Sequence, residues 1–498
     1  MTSPRRPELH DPDLVIRRAL DARDAGRAAE GVAMVKAALK RHPKNAVLWQ
    51  TLGLLRRSLE DSAAAIEAFR KASLLAPADP KIAHGLARVT MEAGLPSLDL
   101  FERARLLAPL DGDLLASRAA AQLAEGKGKQ AIDELDELLV GSPQWIQGQA
   151  LLANLRWMLG EKEAFTSGYD RALRQQPADL NLWLSLIDRL IQAGMFPAAD
   201  DAVARARSAV GSHLALDANE AICASELGDV PRADDCFARL NHVQDVAFAV
   251  RHVRHLLRTG RILEAANRAE PLTRQAGAEL VWPYVAVIWR LLDDKRWHWL
   301  EDDPRLIGIY DIAGDAMLRP LADCLRSLHN TARYPIGQSV RGGTQTDGPL
   351  FARIDPEIRA LRKLIVRTVE THISKFGEGD PTHPVLSRRR DAPIRFAGSW
   401  SVRLSGAGHH TRHIHPQGWL SSAFYVTVPD QSELGPPPAG WLSIGQPPAE
   451  LGIDLPPFRT IETKPGRLVL FPSIMWHGTV PFEGGERMTV AFDVAPPP

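Results

Sequence analysis

His409–Tyr425 reads HHTRHIHPQGWLSSAFY: four histidines in seven residues, then a run with the texture of a strand. Side chains alternate along an extended chain, so His413 and His415 share one face while Ile414 points the other way. Two imidazoles on one face can hold one metal ion. A third comes from Phe471–His477 (FPSIMWH), where His477 follows the strand-like RLVLFP and would arrive from a neighbouring strand. His413, His415 and His477 are therefore the candidate ligands, and three ligands leave coordination positions open. His409 and His410 read as loop residues or supports of the ligands. His298, His329, His372 and His383 have no partners in sequence.

The same texture extends outward. From Ile394 onward, short apolar or alternating runs (RFAGSWSVRL, WLSSAFYVTV, RLVLFP, RMTVAFDV) alternate with Pro- and Gly-rich segments, the pattern of an antiparallel sandwich or barrel. Pro429–Pro457 is too irregular for core and is a candidate lid. Upstream, Pro356–Phe376 carries Ile358, Leu361, Ile365, Val369 and Ile373 at helical spacing, which predicts an amphipathic helix against the sheet. Gln338–Phe351 (QSVRGGTQTDGPLF) is polar and glycine-rich and reads as a loop. Its Arg341, Thr344 and Gln345 are candidate substrate contacts, with a plain turn as the alternative. Trp282, Trp289, Trp297 and Trp299 predict interdomain core.

The first half is periodic. Gly26, Gly94, Gly126, Gly160, Gly194, Gly228 and Gly260, with Glu60 in the one gap, step by 32 or 34 residues. Pro43, Pro77, Pro109, Pro143 and Pro177 repeat out of phase with them at the same steps. Such a period belongs to a helix–turn–helix unit, and Ala46–Asp79 resembles the tetratricopeptide repeat. Trp49, Leu52 and Gly53 match its first helix, Ala65, Phe69 and Ala72 its second, and Pro77 its closing proline. About eight helical pairs over residues 12–290 predict a solenoid with a concave face. That face would dock a peptide or protein ligand; a rigid spacer or dimerisation arm is the other reading.

Composition bounds the rest. A chain of 498 residues exceeds one ordinary core. Lys+Arg and Asp+Glu are both 60, so no global field argues for nucleic acid. No apolar run is long enough to span a membrane, and the N-terminal MTSPRRPELHDPDL lacks an apolar targeting core. Cys223, Cys236 and Cys324 form no metal or redox motif, which predicts a reducing cytoplasm.

Beyond what the residues say by themselves, the region from about 335 to 495 resembles the 2-oxoglutarate/Fe(II)-dependent oxygenase superfamily. It is most similar to a bacterial group that often carries N-terminal tetratricopeptide repeats. The matching stretches are RGGTQT, SWSVRL, HIHPQGWLSSAFYV, PGRLVLFPSIMWHGTVPF and ERMTVAFDV. The resemblance implies an N-terminal α-helical solenoid (12–290), a helical connector (291–334) and a C-terminal double-stranded β-helix, or jelly roll (335–498). It implies Fe(II), 2-oxoglutarate and O2 as cofactor and co-substrates, with Arg487 and Tyr425 on the 2-oxoglutarate carboxylate. Arginine suits that role because its fork meets a carboxylate at two points. One departure stands out. The superfamily's second ligand is usually a carboxylate, and here the position is His415. Trp400 and Arg403 join Arg341, Thr344 and Gln345 as candidate substrate contacts. Two other readings stay open: a three-histidine iron dioxygenase that needs no 2-oxoglutarate, and a repeat scaffold with a silent jelly roll.

Overall fold

The computed structural model describes residues 11–331 and 333–497; the basic residues 1–10 lie outside them. Eight antiparallel helix pairs come first. They are α1 (Pro12–Asp24) with α2 (Ala28–Leu39), α3 (Ala46–Ser58) with α4 (Ser62–Leu75), α5 (Pro80–Glu92) with α6 (Leu98–Leu107), and α7 (Gly112–Ala124) with α8 (Gly128–Gly141). There follow α9 (Ile146–Met158) with α10 (Ser167–Gln175), α11 (Leu180–Gln192) with α12 (Phe196–Val210), α13 (Leu214–Leu227) with α14 (Val230–Arg239), and α15 (Val246–Arg258) with α16 (Ile262–Ala269).

Local chemistry sets this period. The seven periodic glycines and Glu60 all adopt positive φ, between 55° and 90°, in the turn after the first helix of each pair. Glycine takes that conformation without steric cost. Asn45, Asp79, Asp111, Asp179 and Asp245 each cap the next first helix by accepting from a backbone N–H. The carbonyls of Pro43, Pro143 and Pro177 accept from the side chains of Trp49, Gln149 and Trp183, each six residues on. Phe69 wedges between Gly53 and Gly85 of successive pairs. A Cβ on either glycine would come within 2.5 or 2.3 Å of its ring.

The second half begins with α17 (Trp282–Leu291), α18 (Arg296–Leu300), β1 (Gly308–Asp311) and α19 (Asp315–Leu328). It continues with β2 (Val340–Gln345), α20 (Pro356–Ser374), β3 (Phe396–His410), β4 (Leu420–Thr427), α21 (Gln431–Leu434) and β5 (Leu442–Ile444). It ends with β6 (Arg459–Ile461), β7 (Arg467–Pro472), β8 (His477–Thr479) and β9 (Glu486–Val494). The strands form two antiparallel sheets, ordered β1-β7-β4-β9-β3-β2 and β6-β5-β8, in a jelly roll. Helix α20 buries Ile358, Leu361, Ile365, Val369 and Ile373 in the core that the large sheet shares.

Three segments differ from their sequence reading. RGGTQ is the edge strand β2 and not a loop: β3 pairs with it despite an irregularity at Arg341–Gly343, where Gly342 has φ 68°. Glycine-rich polar sequence looks like a turn until a partner strand supplies the hydrogen bonds. Pro429–Pro457, read as a lid, contains β5, the centre of the small sheet, with Leu442 and Ile444 buried. The stretch read as connector supplies β1, which extends the large sheet past β7.

The solenoid and the jelly roll are joined along the turns of the repeats. Glu60 pairs with Arg362 of α20 at 2.9 Å, and Ala93 O accepts from Ile354 N at 3.1 Å. Leu123 and Ala124 carbonyls accept from the Asn330 amide, and Met158 O accepts from Arg333 N. Asn154 Oδ1 accepts from Ile336 N at 3.1 Å. Glu60, the one non-glycine in its series, thus carries its carboxylate to the other half. Helices α15–α17 share one apolar core with the sheets, and the four tryptophans pack in or against it.

Candidate metal centre

His413 and His415 lie on the β3–β4 connection. Only His413 is paired: it exchanges both backbone hydrogen bonds with His477 of β8, at 3.0 and 3.1 Å. His415 N donates to Ser473 O at 3.0 Å. This holds the segment extended, so both imidazoles face the same side. The candidate ligand atoms of His413, His415 and His477 lie within 4.8 Å of one another.

The rings are oriented by what their Nδ1 atoms touch. His413 Nδ1 meets Thr411 O at 2.7 Å and His477 Nδ1 meets Met475 O at 3.0 Å. A carbonyl can only accept, so each Nδ1 carries the proton and each Nε2 is left for a metal. His415 Nδ1 lies 2.8 and 2.7 Å from the two carboxylate oxygens of Asp493. Burial, then mutual repulsion among the imidazoles, holds His413 and His477 well below the usual histidine range. Both are therefore neutral at physiological pH, the form that binds a metal.

His410 belongs closer to this centre than a loop residue would. It lines the same cavity, and Ser339 Oγ stands 3.2 Å from both His410 Nδ1 and His413 Nε2. Burial pushes the His410 imidazole down to about 3.

Strand β9 organises the cavity. Arg487, Thr489 and Ala491 line it, and Asp493 follows on the same face at the outer mouth. Arg487 is 2 % exposed, yet its Nε and Nη1 have no hydrogen-bond partner among the described residues. The fully buried Tyr425 lies under it, ring centre 5.1 Å from the guanidinium carbon, and its hydroxyl is also unpartnered there. Burial lowers the Arg487 guanidinium from its ordinary value and raises the Tyr425 phenol. A buried cation with orphaned donors is costly unless an anion completes it. The donor set therefore fits a carboxylate at Arg487, and the three imidazoles fit an iron ion.

Trp400 stacks on His415, centroids 5.5 Å apart and planes at 30°. Trp400 and Gln345 line both the inner cavity and an outer mouth of about 470 Å³, which Arg341 borders. Arg403 and Thr344 are not brought to either. Arg403 pairs with Glu486 at 2.7 Å, and Thr344 Oγ1 bonds His329 Nδ1 at 2.8 Å. On β3, Trp400 and Arg403 are three residues apart and so lie on opposite faces.

Residues 398–493 match the family model described as "Putative 2OG-Fe(II) oxygenase". That span contains the three histidines, Tyr425, Arg487 and Asp493. The C-terminal part of the chain is thus similar to 2-oxoglutarate/Fe(II) oxygenase domains, and a region of paired helices precedes it. No curated protein matches the chain. Among solved structures, a tetratricopeptide repeat protein from Parabacteroides merdae is similar at 17% identity and TM-score 0.30, covering 47% of this chain and 95% of its own. A tetratricopeptide protein of Thermus thermophilus is similar at 19% identity and TM-score 0.28, covering 36% and 98%. The MamA protein is similar at 17% identity and TM-score 0.29, covering 33% and 91%.

Proposed function

We propose that this chain is an Fe(II)- and 2-oxoglutarate-dependent dioxygenase that hydroxylates a peptide or protein side chain, or a small molecule presented with help of the repeats. The observation that carries this reading is one cavity with two complementary ends. Three imidazoles converge at one end, and the buried guanidinium of Arg487, its Nε and Nη1 unpartnered among the described residues, stands at the other.

His413, His415 and His477 would hold the metal through Nε2. Arg487, with Tyr425 beneath it, would grip the distal carboxylate of 2-oxoglutarate at two points. Bound Fe(II), 2-oxoglutarate and O2 together supply a C–H oxidation, with one oxygen atom ending in the new hydroxyl and the other in succinate as CO2 leaves. The chain's own part is orientation and exclusion of water. Phe471 and Leu442 wall the cavity with apolar surface, and Trp400 covers one face of His415. Gln338, Gln345 and Gln417 give the mouth amides that can meet a peptide backbone.

The solenoid supports the peptide reading through its location. Residues 333 and 336, bound to Met158 and Asn154, lead directly into the mouth residues Gly337–Ser339. A ligand held on the repeats would thus lie beside the mouth. The unpaired thiols of Cys223, Cys236 and Cys324 suit a reducing cytoplasm. An iron dioxygenase that needs no 2-oxoglutarate would leave Arg487 without an anion, which is why it ranks second. A silent jelly roll ranks third.

The test is conversion of 2-oxoglutarate to succinate by the full chain with added Fe(II), screened against peptide and small-molecule pools. Turnover independent of 2-oxoglutarate would favour the second reading. Absence of metal and turnover would favour the third.

A further inference from the structure

The site departs from its superfamily at one ligand, and the structure holds a carboxylate beside that departure. We infer that Asp493, acting through His415, restores the negative charge that a carboxylate ligand would have supplied, and thereby sets the affinity of the centre for a divalent cation. This rests on the metal reading above and names a positioning residue within it.

Three observations carry it. First, His413 and His477 lean on neutral backbone carbonyls, whereas His415 alone leans on a charged group. With three neutral imidazoles, Fe(II) and a dianionic co-substrate sum to zero; a carboxylate ligand would have made the sum negative. Asp493 returns that charge one imidazole further out, and its hydrogen bond raises the basicity of the nitrogen that faces the metal.

Second, Asp493 is itself held in place. It is 7 % exposed, and Ser421 Oγ lies 2.6 Å from its Oδ1. Ser473 Oγ lies 2.9 Å from Ser421 Oγ. A hydroxyl has one proton, so Ser421 donates to the carboxylate and accepts from Ser473. Ser473 also supplies the carbonyl that accepts from His415 N. One short network therefore fixes both the ring and its support.

Third, space is kept for it. A Cβ on Gly418 would lie 2.4 Å from Ser473 Oγ and 3.1 Å from Asp493 Cβ. Only glycine lets the β3–β4 connection pass this close to the pair. Strand β9 thus serves both ends of the cavity, with Arg487 for the anion and Asp493 for the metal.

The experiment compares Co(II) affinity of the full-length chain, prepared without metal and without oxygen, by competition with a chromophoric chelator. Asp493→Asn keeps an acceptor of the same size and removes the charge. It should weaken Co(II) binding by about 10- to 100-fold and shift the visible bands of bound Co(II). Asp493→Glu should recover part of the loss. In a His415→Asp background, which restores a carboxylate ligand, Asp493→Asn should cost less than about threefold. That control remains informative if the single variant folds poorly. Binding by Asp493→Asn within twofold of wild type would overturn the role of Asp493. So would an equal loss in both backgrounds, because Asp493 would then act through the fold. Failure of the wild type to bind any divalent cation would overturn the metal reading itself.

Discussion

Arg487→Met separates a functional arginine from a structural one, because the two roles predict opposite signs. The guanidinium is buried with two orphaned donor atoms. An unsatisfied buried donor costs about 1–3 kcal/mol, so the pair costs at least about 2 kcal/mol. The Tyr425 ring beneath it returns about 1–2 kcal/mol. Replacing the charge by an apolar chain of similar length removes the cost, and the ligand-free protein should be no less stable, gaining about 0–1 kcal/mol even at the lowest cost. For a domain of this size each kcal/mol is a rise of about 2–4 °C in thermal unfolding. Binding should move the other way. A desolvated charge pair is worth about 3–4 kcal/mol, so affinity for 2-oxoglutarate should fall by roughly two to three decades. Arg487→Lys should fall between, since an ammonium cannot offer the two-point fork. Thermal unfolding without ligand gives the first quantity, and calorimetric titration of 2-oxoglutarate into anaerobic Fe(II)-loaded protein gives the second. A Met variant that unfolds several degrees earlier and binds 2-oxoglutarate like wild type would refute the reasoning.

Other expectations follow from the same physics. His413→Ala and His477→Ala should each abolish stoichiometric metal in protein prepared anaerobically, measured by elemental analysis, while leaving the helical circular dichroism unchanged. Burial holds His329 and His372 at about 4, against about 6.5 in an unfolded chain. Between those values the unfolded chain takes up protons that the folded one does not, so stability is full above pH 6.5 and is lost as pH falls toward 4. At pH 5 the loss is about 2 kcal/mol for each histidine, visible as an earlier urea midpoint than at pH 7. Arg362→Ala should destabilise more than Glu60→Gly. The first strands a half-buried carboxylate, which costs about 1 kcal/mol, whereas the second also relieves a non-glycine φ of 55°. Urea unfolding of the two variants tests the order.

Legibility tracked how local the cause was. The repeat was readable because each cause sits within a few residues of its effect: a glycine in a left-handed turn, an acidic cap, a proline after the second helix. The histidine pair was readable because alternation is a property of any extended segment. Arg403 misled because sequence proximity to Trp400 does not give a shared face. Asp493 was invisible for the converse reason. It stands far along the chain from His415, and only the β4–β9 register, Ser421 opposite Asp493, brings it there. The superfamily carboxylate missing at position 415 was a signal that one might be found elsewhere, but nothing local says where. The edge strand β2 and the buried β5 were missed likewise, because pairing with β3 and β8 supplies what their own composition lacks.

The sequence alone determined the helical repeat and its period, an antiparallel β second half and the three clustered histidines, since these depend on spacing and local backbone chemistry; the jelly roll was implied by the family resemblance. Tertiary structure decided which nitrogen of each ring faces the centre, that Arg487 is buried with two donor atoms unpartnered among the described residues, and that a carboxylate supports His415. It also decided that the repeat turns, Glu60 among them, bind the jelly roll. Those facts depend on which strands lie side by side. Register between distant strands is set by the packing of a whole core, and no short stretch of sequence encodes it.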